Sequence, residues 1–339
     1  MTRKVLFACA AFAAFGTLLG TGCNKTKSGN GSTAASGEKI KIGFMVKQPE
    51  EPWFQNEVKF AQQAADKDGF ELIAIPGTSG QNVLIGIDNL GSKGVKGLVI
   101  CAPDVTMGTA ILKNAAKFNM KVFAVDDQLL GADGKPLDIP YMGISAYDIG
   151  KMVGKTLADE MKKRGWTAAD TAACAMTVPE LETARKRIQG AEDSLKEAGF
   201  PMDRVFDKPN KTSDTSGSFA AANIVLGQHS DVKHWLVFSS NDEGVMGAVR
   251  AMENRGFTAN DVVGVGIGGS TAKADFDKPK PTGLYASVLI RPRLHGYNTS
   301  DLMYQWIKNG KEPPKVTLTN GTLITRDNYK KVMAAEGLL

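Results

Sequence analysis

The chain has 339 residues, 42% hydrophobic and 23% charged, with 41 Lys and Arg against 36 Asp and Glu for a net charge of +5. That length sets a prior of about two domains with ordinary cores. The near balance of charge, with no basic run in the body, argues against a nucleic-acid partner. Beyond residue 22 no stretch approaches the ~20 apolar residues of a membrane helix. Scarce cysteines exclude a disulfide scaffold, and His229, His234 and His295 lie at spacings that suit no metal motif. No metal and no cofactor is expected.

Arg3 and Lys4 precede an apolar run from Val5 to Leu19, followed by Gly20-Thr21-Gly22-Cys23. This reads as a secretory signal over residues 1–22, too short to span a bilayer. Small residues before a cysteine resemble a bacterial lipobox, although Leu19 stands four residues before Cys23 where three is usual. Cys23 is therefore expected to be the lipidated first mature residue, anchored by acyl chains at about 0.8 kcal/mol per buried methylene. Ordinary cleavage, leaving a soluble periplasmic protein, is the alternative. Residues 23–38 are nearly all small or polar and read as a flexible tether. Cys101 and Cys174 sit in apolar stretches and read as buried free thiols.

From Ile40 short β-branched runs alternate with helix-period stretches. The predicted strands are Ile42–Val46, Glu71–Ile75, Gly97–Ile100, Val122–Val125, Ala172–Thr177, Trp235–Phe238, Val262–Ile267 and Leu284–Leu289. Phe54, Val58, Ala61 and Ala65 share one helical face; Ile149, Val153, Leu157 and Met161 share another, stopped by Gly165. Alternation of this kind predicts an α/β fold of parallel sheets covered on both faces, and the length fits two. Near the end, Val316–Thr319 and Thr322–Thr325 flank Asn320-Gly321. This is either a hairpin or one segment crossing between domains, and the crossing is favoured because three crossings make a stiffer hinge.

In open parallel sheets ligands bind at the carboxyl ends of strands. Those ends carry Lys47 to Phe54, then Asp126-Asp127-Gln128, then a helix bearing Thr183, Arg185 and Arg187, then Ser239-Ser240-Asn241-Asp242, and last Gly268-Gly269-Ser270. Carboxylates accept hydrogen bonds, Lys and Arg donate, amides do both, and an aromatic face covers apolar C–H patches. A sugar needs that mixture. Taken singly each residue has a plainer role. Asp126, Asp127, Asn241 and Asp242 suit helix caps or turns, Trp53 suits a core, Lys47 and Glu51 suit a surface pair, and Arg185 to Arg187 suit a solvated helix face. Convergence of five strand ends favours a small polar ligand in a two-lobed cleft.

Val46-Lys47-Gln48-Pro49-Glu50-Glu51-Pro52-Trp53-Phe54 carries something more specific. With Ala124-Val125-Asp126-Asp127-Gln128, Val232-Lys233-His234-Trp235-Leu236 and Ile324-Thr325-Arg326-Asp327-Asn328, it resembles the L-arabinose-binding group of periplasmic sugar receptors that serve ABC importers. The likeness runs from about Lys39 almost to the C-terminus.

The resemblance implies two Rossmann-like lobes joined by a three-stranded hinge: residues 39–144 with about 290–318, and 145–289 with about 319–339. It implies that Lys47 and Glu51 are polar contacts of the first lobe and that Trp53 stacks on the sugar with Phe54 nearby. Asp126 and Asp127 fall on a carboxylate pair, one of which bonds the anomeric hydroxyl. Thr183 and Arg187 match a helix contact, with Arg187 reaching the ring oxygen, and Asn241 matches an amide of the second lobe. The chain departs from the family twice. Gly268 stands where the family has an asparagine, leaving Ser270 or a water as substitute, and Ile144 stands where it has a methionine lining the site. L-Arabinose is the first expectation, with D-galactose, D-fucose or another pentose behind it. The implied partners are an inner-membrane permease and a chemoreceptor, and a monomer is expected.

Two other classes compare poorly. A sugar-responsive transcription regulator would carry a helix-turn-helix where this chain shows a signal and tether. An enzyme would show a nucleophile elbow, a P-loop or a metal triad. Gly264-Val265-Gly266-Ile267-Gly268-Gly269 matches G-x-G-x-x-G without a phosphate-binding context. Asp126 and Asp127, adjacent on an extended chain, point to opposite sides and would hardly share one bond as acid and base. Asp207, Asn210 and Asp214 cluster, but no glutamate ends an EF-type loop, so a solvated turn is expected there.

Overall fold

The computed structural model describes residues 39–180, 182–209 and 214–339. The expected signal, Cys23, the tether and Asn210 lie outside the described residues. The body begins with β1 (Lys41–Val46), α1 (Pro52–Asp68), β2 (Glu71–Pro76), α2 (Gly80–Ser92), β3 (Gly97–Ile100), α3 (Gly108–Ala116), β4 (Lys121–Asp126) and β5 (Tyr141–Ile144). It then repeats the plan with α4 (Ala146–Lys163), β6 (Thr171–Thr177), α5 (Glu182–Glu197), β7 (Val205–Pro209), α6 (Thr215–Gln228), β8 (His234–Ser239), α7 (Asp242–Glu253), β9 (Val262–Gly268), α8 (Ala272–Phe276) and β10 (Leu284–Leu289). A π-helical turn (Leu294–Asn298) leads into α9 (Thr299–Asn309), β11 (Val316–Thr319), β12 (Thr322–Thr325) and α10 (Tyr329–Ala335).

The strands form two six-stranded sheets of the same plan, ordered β11-β5-β4-β3-β1-β2 and β12-β10-β9-β8-β6-β7. The pairings are parallel apart from the antiparallel β10–β12 edge. The chain passes between the sheets three times: after β5, after β10, and at Asn320-Gly321. There β11 pairs with β5 while β12 pairs with β10, so these two strands are a crossing and not a hairpin. Among the described residues no helix is long and apolar enough to cross a membrane.

Helices cover both faces of each sheet because their apolar stripes have nowhere else to go. Pro52 opens α1 with its backbone angle preset, and Gly69 ends it at φ 81°, where a side chain is unwelcome. Phe54, Ala61, Ala64 and Ala65 of α1 pack with wholly buried Phe44 and Phe123. Trp235 and Phe238 of β8 fill the two faces of the second sheet. Burying one such side chain contributes on the order of 1.5–3 kcal/mol. Cys101 and Cys174 are buried and free. The pair α4 and α5 packs backbone to backbone. A Cβ on Gly150 would stand 2.1 Å from the carbonyl oxygen of Arg187, and one on Gly190 2.1 Å from that of Tyr147. Glycine is the only residue that permits this approach, and the approach sets where Arg187 lies.

Candidate functional site

In each sheet the strand order reverses once, between β1 and β3 and between β6 and β8, and the loops leaving these strands open a crevice. Lys47 follows β1. Its Nζ donates to Asp127 Oδ2 at 2.5 Å, and the Cys101 thiol, just past β3, lies 3.6 Å from the same oxygen. Burial works against the Lys47 charge, but the Asp127 and Asp126 carboxylates outweigh it and hold the ammonium above its ordinary value. Burial, and then Asp126, push the Cys101 thiol well up, so it stays neutral.

Asp126 ends β4 in a rare conformation. Its φ is 65°, and the N–H of Asp127 donates back to the carbonyl of Val125 at 2.8 Å, which makes a γ-turn. Strain of this kind persists only where the surroundings enforce it. The Tyr141 hydroxyl donates to the Asp126 carbonyl at 3.0 Å, Trp53 Nε1 donates to Oδ2 at 3.2 Å, and His295 Nδ1 meets Oδ1 at 2.7 Å. Burial raises the Asp126 carboxyl, yet bonding to His295 and Trp53 holds it below its ordinary value. The Trp53 ring stands edge-on to His295 at 5.2 Å between centroids. The two carboxylates therefore diverge as expected, but through this turn and not through extended alternation.

On the second sheet Arg187 reaches inward from α5 while Arg185 and Lys186 face solvent. Its Nη1 donates to the Ser240 carbonyl at 2.6 Å, and its buried Nε has no partner. Burial lowers the guanidinium to about 10, against the pull of Asp127, Asp126 and Asp242. Asn241 takes the plainer role as well, capping α7 by accepting from Gly244 N–H at 2.9 Å. Thr183 and Ile144 are half-buried, at the first turn of α5 and the end of β5. Gly268 adopts φ 129° and Gly269 φ 86°, a conformation that disfavours the asparagine expected at Gly268.

The plain surface pair does not form: Glu51 is exposed at the start of α1, and Lys47 pairs with Asp127. Phe54, beside Trp53, is 5% exposed and packs with Phe44 and Phe123. Several polar contacts of this region escaped sequence reasoning. Asp242 is buried and accepts from Gly269 N–H at 2.7 Å, Ala272 N–H at 3.2 Å and the Ser287 hydroxyl at 2.6 Å. Against those bonds, burial still pushes its carboxyl up to about 6. Glu57, His295 and Thr319 form a buried group behind Asp126. Glu57 has a sequence signal, because an acid stands where the α1 period calls for an apolar residue.

Among the described residues one cluster has the make-up of a metal site: Glu57, Asp126 and His295, with ligand atoms within 4.8 Å of one another. Asp126 and His295 already bond each other, Trp53 takes the second Asp126 oxygen, and His295 Nε2 meets Thr319 Oγ1 at 2.8 Å. Asp207 accepts from Thr177, and Asp214 caps α6. The glycine run 264–269 lies within and just past β9. A Cβ on Gly266 would come 2.3 Å from Asp242 Oδ1, so that glycine serves packing and not a phosphate loop. Two surface hollows, around Phe276–Lys330 and Ile75–Lys93, lie away from this group.

Two doubly wound sheets, joined by three crossings and carrying polar groups at both reversal points, define a two-lobed binding protein. The chain belongs to the family of periplasmic binding proteins and sugar-binding domains of the LacI type, which matches residues 39–332. It is 47% identical over 309 residues to the L-arabinose-binding periplasmic protein of Escherichia coli K12, covering 91% of this chain and 94% of that one. It is 46% identical over 301 residues to the ABC transporter L-arabinose-binding periplasmic protein of Azospirillum brasilense, covering 88% and 90%. A solute-binding protein of Actinobacillus succinogenes 130z with bound D-allose shares the fold with a TM-score of 0.74 at 19% identity, covering 86% of this chain and all of that one. The relatives are binding proteins of transport, and this chain is not an enzyme.

Proposed function

We propose that this chain is the periplasmic receptor of a sugar ABC importer and that it binds L-arabinose. The observation that carries the reading is the convergence of Lys47, Trp53, Asp126 and Asp127 at one reversal point, with Arg187 reaching in to the Ser240 carbonyl at the other. The names of two relatives, 47% and 46% identical, support the choice of sugar. Asp126 and Asp127 accept hydroxyl hydrogens, Lys47 and Arg187 donate, the unpartnered Arg187 Nε is free for a ring oxygen, and the Trp53 ring covers a C–H face. Thr183, Asn241 and Ile144 complete the wall, with Gly268 leaving room where a longer side chain is expected. The lobes are residues 39–144 with about 290–318, and 145–289 with about 319–339.

The sugar touches both lobes only when they close, so it favours the closed form by its differential affinity for the two states. Closed receptor then docks on a membrane permease. The receptor acts as a monomer, tethered to a membrane through lipidated Cys23, and the same closed form presents sugar to a chemoreceptor. Isothermal titration of the purified protein with L-arabinose, D-galactose, D-fucose and other pentoses tests this reading. Tight binding of a non-sugar, with no monosaccharide bound, ends it.

A further inference from the structure

Glu57 stands in the buried stripe of α1 with no exposed surface, and neither carboxyl oxygen has a donor to accept from. Its packing is tight. A Cβ on Gly296 of the π-helical turn would stand 2.0 Å from the Glu57 carbonyl oxygen, so no other residue fits there. His295 Nδ1 lies 3.7 Å from Glu57 Oε1, but that nitrogen is committed to Asp126 Oδ1 at 2.7 Å. An ionised Asp126 only accepts, so Nδ1 carries the hydrogen it gives there. The other group beside Glu57 is the Asp126 carboxylate itself, with an oxygen within 4.8 Å. Two like charges in so dry a place are strongly disfavoured, and one carboxyl of such a pair keeps its proton. A protonated Glu57 has a hydrogen to donate, and Asp126 is there to accept it.

We propose that Glu57 is a positioning residue of the sugar site: it is carried as the neutral acid, and its O–H, donated to Asp126, completes with Trp53 and His295 a three-donor clamp on that carboxylate. The inference rests on the reading of Asp126 as a sugar contact. An ionised carboxylate has about four acceptor positions, so the clamp leaves one for a sugar hydroxyl. It also holds the γ-turn in place.

The clamp reaches the hinge. His295 lies in the crossing after β10, and Thr319, bonded to His295 Nε2 at 2.8 Å, ends β11 at the last crossing. Thr319 Oγ1 also lies 3.3 Å from the Gly143 carbonyl oxygen, and the Ser145 N–H donates to the Thr319 carbonyl at 2.9 Å, at the first crossing. All three crossings thus meet behind Asp126.

The charged and titratable groups facing Glu57 are Asp126 and Asp127 from the end of β4, Lys47 past β1, Cys101 past β3 and His295. Burial, and then Asp126, push the Glu57 carboxyl well above 4.5, with Lys47 opposing.

The test uses wild type, Glu57→Gln, which keeps a donor of the same shape, and Glu57→Leu, which removes it. At neutral pH the infrared spectrum of wild type shows the carbonyl band of a protonated carboxylic acid. The band shifts on 13C-glutamate labelling and is missing from Glu57→Gln. Glu57→Leu loses about tenfold or more in affinity for the monosaccharide that wild type binds best, and Glu57→Gln restores it to within about threefold. Unfolded Glu57 ionises above 4.5 while folded Glu57 does not, so the melting-temperature advantage of Glu57→Gln over wild type grows as pH rises. The inference is overturned by a missing band, by Glu57→Leu binding like wild type, or by stoichiometric uptake of zinc or manganese that Glu57→Gln abolishes. If wild type binds no monosaccharide, the proposed function falls, while the band and the melting comparison still decide the state of Glu57.

Discussion

Replacing Asp126 with alanine removes the acceptor for two buried donors, Trp53 Nε1 and His295 Nδ1. Leaving a buried donor unpaired costs about 1–3 kcal/mol. Alanine at φ 65° costs roughly 1 kcal/mol more, because the short polar side chain of aspartate tolerates the left-handed region better. Together these come to about 3–7 kcal/mol, a large part of the 5–15 kcal/mol that holds a typical domain folded. At about 2–4 °C per kcal/mol for a domain of this size, the melting temperature of sugar-free protein falls by at least about 6 °C. Asp126→Asn keeps one acceptor oxygen and tolerates the turn, so it loses less than about 2 kcal/mol. Scanning calorimetry of the three proteins without ligand, followed by titration with L-arabinose, reads both consequences. An Asp126→Ala variant that melts within about 2 °C of wild type and binds sugar normally would refute the reading of Asp126 as a strained, clamped contact.

Trp53→Ala removes the stacking face and one donor to Asp126, so titration should show sugar binding weakened by about 1–3 kcal/mol; unchanged affinity would place the ring outside the site. Gly150→Ala forces α4 and α5 apart where the new Cβ would stand 2.1 Å from the Arg187 carbonyl; equilibrium binding should weaken by tenfold or so although residue 150 touches no sugar. Asp242 holds its proton up to about 6 in the fold against an ordinary 3.8, so the protonated fold is favoured at low pH and stability drains away as pH rises through that interval. The loss is about 3 kcal/mol at most, and urea unfolding at a series of pH values should find this slope in wild type and not in Asp242→Asn.

Much of this architecture is legible from alternation alone, since β1, β3, β4, β6, β8, β9 and β10 are apolar runs bounded by turn residues. The two strands that escaped sequence reading have physical excuses. Residues 141–144, behind Pro140, are four long and include a glycine, and Val205–Pro209 is an edge strand whose faces are half solvated. Edge strands need less apolar pattern because one side meets water.

The site divides along the same line. Strand-end residues such as Lys47 and Asp126 announce themselves because charge interrupts an apolar rhythm at a place where sheets bind ligands. Their partners do not. Asp126 meets His295 across 169 residues and Trp53 across 73. Asp242 meets Ser287 across 45. No local spacing encodes such pairs, because sheet order and the crossings bring them together. The pairing of Lys47 with Asp127 in place of Glu51 follows from the same fact, for Glu51 is exposed at the helix start while Asp127, just past β4, meets Lys47 across the end of β3.

A crystal structure of the protein grown with L-arabinose tests the central claim most directly. The account predicts one sugar ring between Lys47, Trp53, Asp126 and Asp127 on one side and Arg187 on the other, with the Arg187 Nε now bonded. Density for the sugar elsewhere, or a saturated protein whose cleft holds only water, would contradict it.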